Sequence, residues 1–245
     1  MPRYKLTIEY DGTPFMGWQI QSDLPTVQGT VADAVKAFCG EYSIPFGAGR
    51  TDSGVHARGQ VAHLDLLRDW PADTVRDALN AQLRPLPVAI LNSILVDNSF
   101  DARFSAKQRR YRYEIVSRRA PLTLDNNRAW QVYQTLNVVA MQEAATALIG
   151  KHDFTTFRSA ACQANSPIKT LNSFEVVGDR DRITLSTTAR SFLHSQVRSM
   201  VGSLQMVGEG KWTVSQISQI LQASDRSLCG ALAPAHGLYF DQVDY

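Results

Sequence analysis

Residues 47–63 read Gly-Ala-Gly-Arg-Thr-Asp-Ser-Gly-Val-His-Ala-Arg-Gly-Gln-Val-Ala-His and hold a single carboxylate, Asp52. Apolar residues are scarce until Val61, so core burial does not explain this composition. Glycines at 47, 49 and 54 allow tight turns and close approach of the backbone to a ligand. Arg50 and Arg58 offer planar forks that fit phosphate or carboxylate. Asp52 has two uses open to it. Thr-Asp-Ser-Gly is good turn chemistry, and a lone carboxylate among cations can also serve as nucleophile or general base. If the stretch is extended, Arg50 and Asp52 project to the same side. A metal-assisted phosphohydrolase would need further acids nearby, and no other acid lies between residues 42 and 64.

A second concentration of chemistry lies between Arg103 and Arg119. Arg103, Lys107, Arg109, Arg110, Arg112, Arg118 and Arg119 stand against one acid, Glu114, with Phe104, Tyr111 and Tyr113 interleaved. Cations for phosphates and aromatics for bases are the parts of an RNA-binding surface. The same charges also suit a solvated, protected strand edge. An RNA-binding module without chemistry would keep this segment and have no need of Asp52.

The whole chain sets the frame for both. Its 245 residues suffice for one large domain or two small ones. Net charge is only +2, so bulk charge does not announce nucleic acid. No apolar run reaches membrane-spanning length, and the N-terminus lacks the apolar core of a signal peptide, so a cytosolic location is expected. Cys39, Cys162 and Cys229 are widely spaced and odd in number, against a disulfide framework. The five histidines form no zinc-type spacing, and no Gly-rich nucleotide loop appears.

The elements that must position these residues follow from periodicity. Lys5–Tyr10 alternates as a strand, and Thr26 caps a helix with Val27, Val31, Ala34, Val35 and Phe38 inward. Ile44–Phe46 runs into the Gly47 loop, and Gln60–Leu66 leaves it as a strand. A helix from Pro71 through Leu83 and a strand at Val88–Val96 follow. The second half predicts a strand at Arg110–Val116, a helix at Leu136–Ile149 and a hairpin of Leu171–Val177 with Arg182–Thr188. Helices at Phe192–Val207 and Val214–Leu221 and a strand at Gly237–Val243 complete it. Tyr111 and Tyr113 share one strand face, which suits one lining a site and one packing. Each half reads as strand-helix-strands-helix-strand, the ferredoxin-like order. The expected class is α+β: two ferredoxin-like halves, 1–105 and 106–245, with sheets side by side around a central basic cleft.

Ala48-Gly-Arg-Thr-Asp-Ser-Gly-Val-His resembles the active-site signature of the tRNA pseudouridine synthase A family. Other segments agree in order: Tyr10-Asp-Gly-Thr-Pro-Phe-Met-Gly-Trp-Gln, Phe100-Asp-Ala-Arg-Phe-Ser-Ala, Arg110-Tyr-Arg-Tyr, His152-Asp-Phe-Thr-Thr-Phe-Arg, Phe192-Leu-His-Ser-Gln-Val-Arg-Ser-Met-Val-Gly and Gly237-Leu-Tyr-Phe. Gln196 departs from the pattern, where many relatives carry an apolar residue such as Met. The resemblance implies isomerisation of uridine to pseudouridine in the tRNA anticodon arm at positions 38, 39 and 40, by a homodimer, with no cofactor and no metal. It implies Asp52 as the reacting carboxylate, Arg198 as its ion-pair partner and Tyr111 as the platform for the target uracil. Arg50 then binds the target phosphate or helps expel the base. Phe100, Asp101, Arg103 and Phe104 contact RNA, with His56, Arg58, His152 and Arg158 as weaker candidates.

Overall fold

The computed structural model describes residues Met1–Tyr245 throughout. The chain divides into two units, one of Met1–Lys107 with Tyr239–Tyr245, the other of Gln108–Leu238.

In the first unit, strand β1 (Arg3–Tyr10) buries Tyr4, Leu6, Ile8 and Tyr10 at alternate positions, as its pattern requires. Helix α1 (Val27–Cys39) starts at Thr26, whose hydroxyl accepts from the Gly29 N–H at 3.3 Å. It stops at Gly40, which takes the left-handed conformation with φ 79°. Then come β2 (Phe46–Gly47), β3 (His56–Asp65), α2 (Ala72–Leu83) and β4 (Val88–Val96). The strands lie in the order β4-β1-β3, with β2 also on β3, all antiparallel. This is the ferredoxin-like arrangement that the element order predicts. Val75, Leu79 and Leu83 of α2 are buried, as are Val27, Val31, Ala34 and Val35 of α1.

The strand expected at Ile44–Phe46 forms only at Phe46–Gly47, and two further boundaries differ from expectation. The strand expected to begin at Gln60 begins at His56, so His56 and Arg58 sit on a strand and not in a loop. Glycine and arginine hide it in sequence, but Ala57 pairs with Tyr10, and His56 and Ala57 pair in parallel with Tyr239 and Phe240 of β10 (Leu238–Asp244). The same pairing explains the second difference. Tyr239–Tyr245, expected in the second half, groups with the first, and the Lys107 N–H also donates to the Asp244 carbonyl at 2.8 Å.

The second unit holds β5 (Gln108–Ser117), β6 (Trp130–Val132), α3 (Val138–Thr146), β7 (Gly150–Asp153), β8 (Ile168–Asp179), β9 (Arg182–Ala189), α4 (Gln196–Gly208) and α5 (Val214–Ala223). Its strands run β5-β9-β8-β7, antiparallel, with β6 parallel on the end of β5. The sequence of β5, α3, β8, β9 and α4 repeats the order of the first unit up to its second helix; β6, β7 and α5 are added, and the closing strand β10 groups with the first unit from Tyr239. Helix α4, expected from Phe192, starts at Gln196. Ser195 before it is left-handed (φ 61°), and Phe192 packs its ring edge-on against Tyr111, 5.0 Å between centroids. Val197, Met200, Val201 and Leu204 of α4 are buried. At Gly202 a Cβ would lie 1.8 Å from the Ala231 carbonyl oxygen, so only glycine lets the 230–233 segment lie so close.

Candidate active site

Asp52 lies in the connection between β2 and β3, whose backbone is gripped from several sides. The Ala48 N–H donates to Val61 O at 2.7 Å, and the Gln60 side-chain amide donates to Gly49 O at 2.8 Å. The Trp18 N–H reaches Thr51 O at 3.1 Å, and the Tyr10 and Thr51 hydroxyls are 2.8 Å apart. Gly54 and Val55 close the turn through Phe15 O and Asp52 O. Gly17, at φ 91°, comes so near that a Cβ would lie 2.6 Å from Thr51 O. Burial alternates along the stretch: Thr51 is buried, Arg50 exposed and Asp52 half-buried. The backbone of this turn is thus held by bonds from Phe15, Trp18, Gln60 and Val61.

On β3, His56 is buried, with Nδ1 3.0 Å from the Gly12 N–H and 3.1 Å from an Asp11 carboxylate oxygen. Its ring stacks on Tyr239 at 4.8 Å. Arg58, exposed, holds its guanidinium 4.8 Å from the same ring.

The 97–106 segment is anchored further along β3, at His63. The Ala102 N–H donates to His63 Nδ1 at 3.0 Å, and the Tyr245 hydroxyl donates to Ala102 O at 2.7 Å. Arg3 is paired with Asp65 and also donates to the carbonyls of Asn98 and Phe100 at 2.7 and 2.8 Å. Burial pushes the His63 imidazole below its ordinary pKa, and the Arg3 charge adds to this. The Phe100 ring packs on Tyr245 at 4.9 Å. Asp101 spends one oxygen on the N–H groups of Arg103 and Phe104, at 2.7 and 2.8 Å. What remains at the tip is Phe104, 74% exposed, with the Arg103 guanidinium 5.4 Å from its ring. From His56 to His63 the strand spans about 23 Å at ~3.3 Å per residue. The candidates of the first unit thus form two groups, one around Asp52 and β3's start, the other at the 103–104 tip.

In the second unit, Tyr111 and Tyr113 are both buried. Tyr113 is wholly buried and donates its hydroxyl to Pro234 O at 2.8 Å. Burial raises its pKa well above the ordinary tyrosine value, opposed by the nearby Arg198 charge. Tyr111 keeps a small exposed fraction beside Phe192. Arg198 is half-buried on α4 and donates Nε–H to Ala233 O at 2.8 Å. Three members of the basic run are bound within the fold itself. Arg109 donates to the Arg190 carbonyl, Arg112 pairs with Glu114, and Arg118 pairs with Asp181 at 3.0 Å. Arg103, Lys107 and Arg119 remain exposed. The His152 ring nitrogen sits 2.8 Å from Ile149 O, a local structural bond, and Arg158 is half-buried just after a short helical turn at Thr155–Phe157.

The family model for tRNA pseudouridine synthase matches residues 6–105 and 144–245. This chain belongs to that family. It is 60% identical to the tRNA pseudouridine synthase A of Xanthobacter autotrophicus over the full length of both chains. It is 61% identical to that of Azorhizobium caulinodans, over all of this chain and 95% of the relative, and 58% identical to that of Bradyrhizobium sp. strain BTAi1 over both full lengths. Among solved structures, the Cbf5-Nop10-Gar1 complex aligns with 97% of this chain and 48% of its own chain at 11% identity and TM-score 0.38, which carries no argument. As a tRNA pseudouridine synthase the chain is an isomerase that converts uridine to pseudouridine. Gln196 is fully buried. Its Oε1 accepts from the Leu193 N–H at 2.8 Å, so the amide fastens the turn that leads into α4.

Proposed function

We propose that this tRNA pseudouridine synthase modifies the anticodon arm at positions 38, 39 and 40 as a cytosolic homodimer of two-domain subunits, using Asp52 and no cofactor. The reaction breaks the bond from ribose C1′ to uracil N1 and joins C1′ to C5. The C5 proton is lost to a base and N1 gains one, so the product is an isomer of the substrate. Asp52 acts on the flipped-out uridine either as a nucleophile at C1′ or the uracil ring, or as the base that takes the C2′ proton. Arg198, from the second domain, is assigned as the cation that keeps Asp52 ionised. Tyr111 supports the extruded uracil by stacking, worth about 1–3 kcal/mol per base. Arg50 takes the target phosphate, and Arg58, Arg103 and Phe104 bind flanking RNA. Phe100 and Asp101 keep the 103–104 tip in shape, and His56 holds Tyr239 beneath Arg58.

The observation that carries this reading is the placement of Asp52: the sole acid of its loop, half-buried, on a backbone that other residues already hold. Asp52→Asn tests it. Pseudouridine formation on anticodon-arm uridines falls about 10²–10⁴-fold, while tRNA binding stays within about threefold. Unchanged turnover in this variant refutes the assignment of Asp52 as the reacting carboxylate.

A further inference from the structure

We propose that Tyr10 and Gln60 are positioning residues for the reaction, which hold Asp52 and Arg50 outward by clamping the residues on either side of Arg50. The proposal rests on the reading of Asp52 as the reacting carboxylate.

The clamp has two jaws. Gln60, wholly buried on β3, donates its amide to Gly49 O at 2.8 Å. Tyr10, buried at the end of β1, has its hydroxyl 2.8 Å from that of Thr51. Burial drives the Tyr10 hydroxyl far above the ordinary tyrosine range, so it stays protonated and able to donate. The Tyr10 and Thr51 hydroxyls share one hydrogen bond. The held residues are 49 and 51; those between and after them, 50 and 52, are the ones with side chains left at the surface or half-buried. Fixing the backbone at residue 49 and the side chain at residue 51 fixes the direction in which residues 50 and 52 project. Tyr10 itself rests its ring against Trp18, 6.2 Å between centroids. Trp18 in turn holds Thr51 O through its backbone N–H, so the hydroxyl is the part of Tyr10 that specifies Thr51's side chain.

A merely structural tyrosine and a positioning tyrosine behave differently when the hydroxyl alone is removed. Tyr10→Phe keeps the ring and its packing. In the positioning case kcat falls about 10- to 100-fold, the effect of a small misplacement of a catalytic group, while KM for tRNA stays within about twofold. Thr51→Val gives the same loss, Thr51→Ser restores the rate, and Tyr10→Phe with Thr51→Val together is no worse than either alone. The rates are taken per folded molecule, from melting curves at the assay temperature. A normal kcat for folded Tyr10→Phe overturns the proposal, as does a Thr51→Ser variant as slow as Thr51→Val. Asp52→Asn, assayed alongside, separates the two levels. If Asp52→Asn retains activity the reading of the site fails. If Asp52→Asn is inactive and Tyr10→Phe is normal, only the clamp fails.

Discussion

Gly12→Ala is a sharp probe of how tightly the 11–18 segment presses on the Asp52 connection. Gly12 has no need of glycine's torsional freedom, so the added methyl acts by volume. It would lie 2.0 Å from Val55 O and 2.6 Å from Val55 C, both backbone atoms, where ordinary contact begins at 3.4 Å. The two segments must part by about 1.4 Å, which also pulls the Gly12 N–H from His56 Nδ1. Overpacking costs about 1–3 kcal/mol, and backbone against backbone puts this case near 3 kcal/mol. At about 2–4 °C per kcal/mol for a chain of this size, the melting temperature falls by roughly 6–12 °C. Because Val55 lies three residues from Asp52, kcat per folded molecule falls as well, about 10- to 100-fold. Gly40→Ala is the control. Gly40 has φ 79° with nothing within 4 Å, so it loses about 1–2 kcal/mol to left-handed strain with no contact to Asp52, and kcat is unchanged. Thermal melts by circular dichroism and pseudouridine mapping with purified variants read both. A Gly12→Ala protein that melts within about 2 °C of the parent at full kcat refutes the close approach and its consequence.

Phe104→Ala removes a ring that packs little on the fold, so the melting temperature holds while tRNA binding weakens by about 1–3 kcal/mol; filter binding at fixed salt checks it, and unaltered affinity removes Phe104 from the RNA surface. His63 makes stability depend on pH. The unfolded imidazole takes its proton near pH 6.5, while burial keeps the native one neutral to lower pH. The neutral form's contribution is therefore complete above about pH 6.5 and is lost as pH falls from there through the lowered native value. Protonation would also displace the Ala102 N–H from Nδ1. His63→Gln keeps an acceptor without the titration, so the decline in urea midpoint below about pH 6.5 becomes shallower; equal slopes in the two proteins refute the role.

Much of this fold was legible from local pattern. Alternation in β1, the Thr26 cap and the full extent of β4 could be read directly, because each is decided within a few residues. The start of β3 could not. His56-Ala-Arg-Gly looks like loop, and it becomes strand through pairing with Tyr10's neighbourhood and with Tyr239 and Phe240 at the far end of the chain. The start of α4 was misjudged for a related reason. Phe192 and Leu193 are apolar in phase with the helix, yet they pack before the left-handed Ser195 turns the chain into it. Partners distant in sequence decide both boundaries.

The candidate site shows the same division at the level of side chains. Asp52, Arg50 and Phe104 stand out in sequence because nothing about burial accounts for them. The residues that aim them do not stand out. Tyr10 and Gln60 occupy strand positions that read as ordinary packing, and Arg3, His63 and Tyr245 come together on the 97–106 segment from three separate stretches. The basic run around β5 errs in the opposite direction, since it reads as RNA surface. Arg109, Arg112 and Arg118 instead satisfy a carbonyl and two carboxylates of their own unit. A cation already bound within the fold must give up that bond to meet a phosphate, so exposure is a better guide to RNA contact than positive charge. By that measure the exposed tip at Arg103 and Phe104 outranks the strand that follows it.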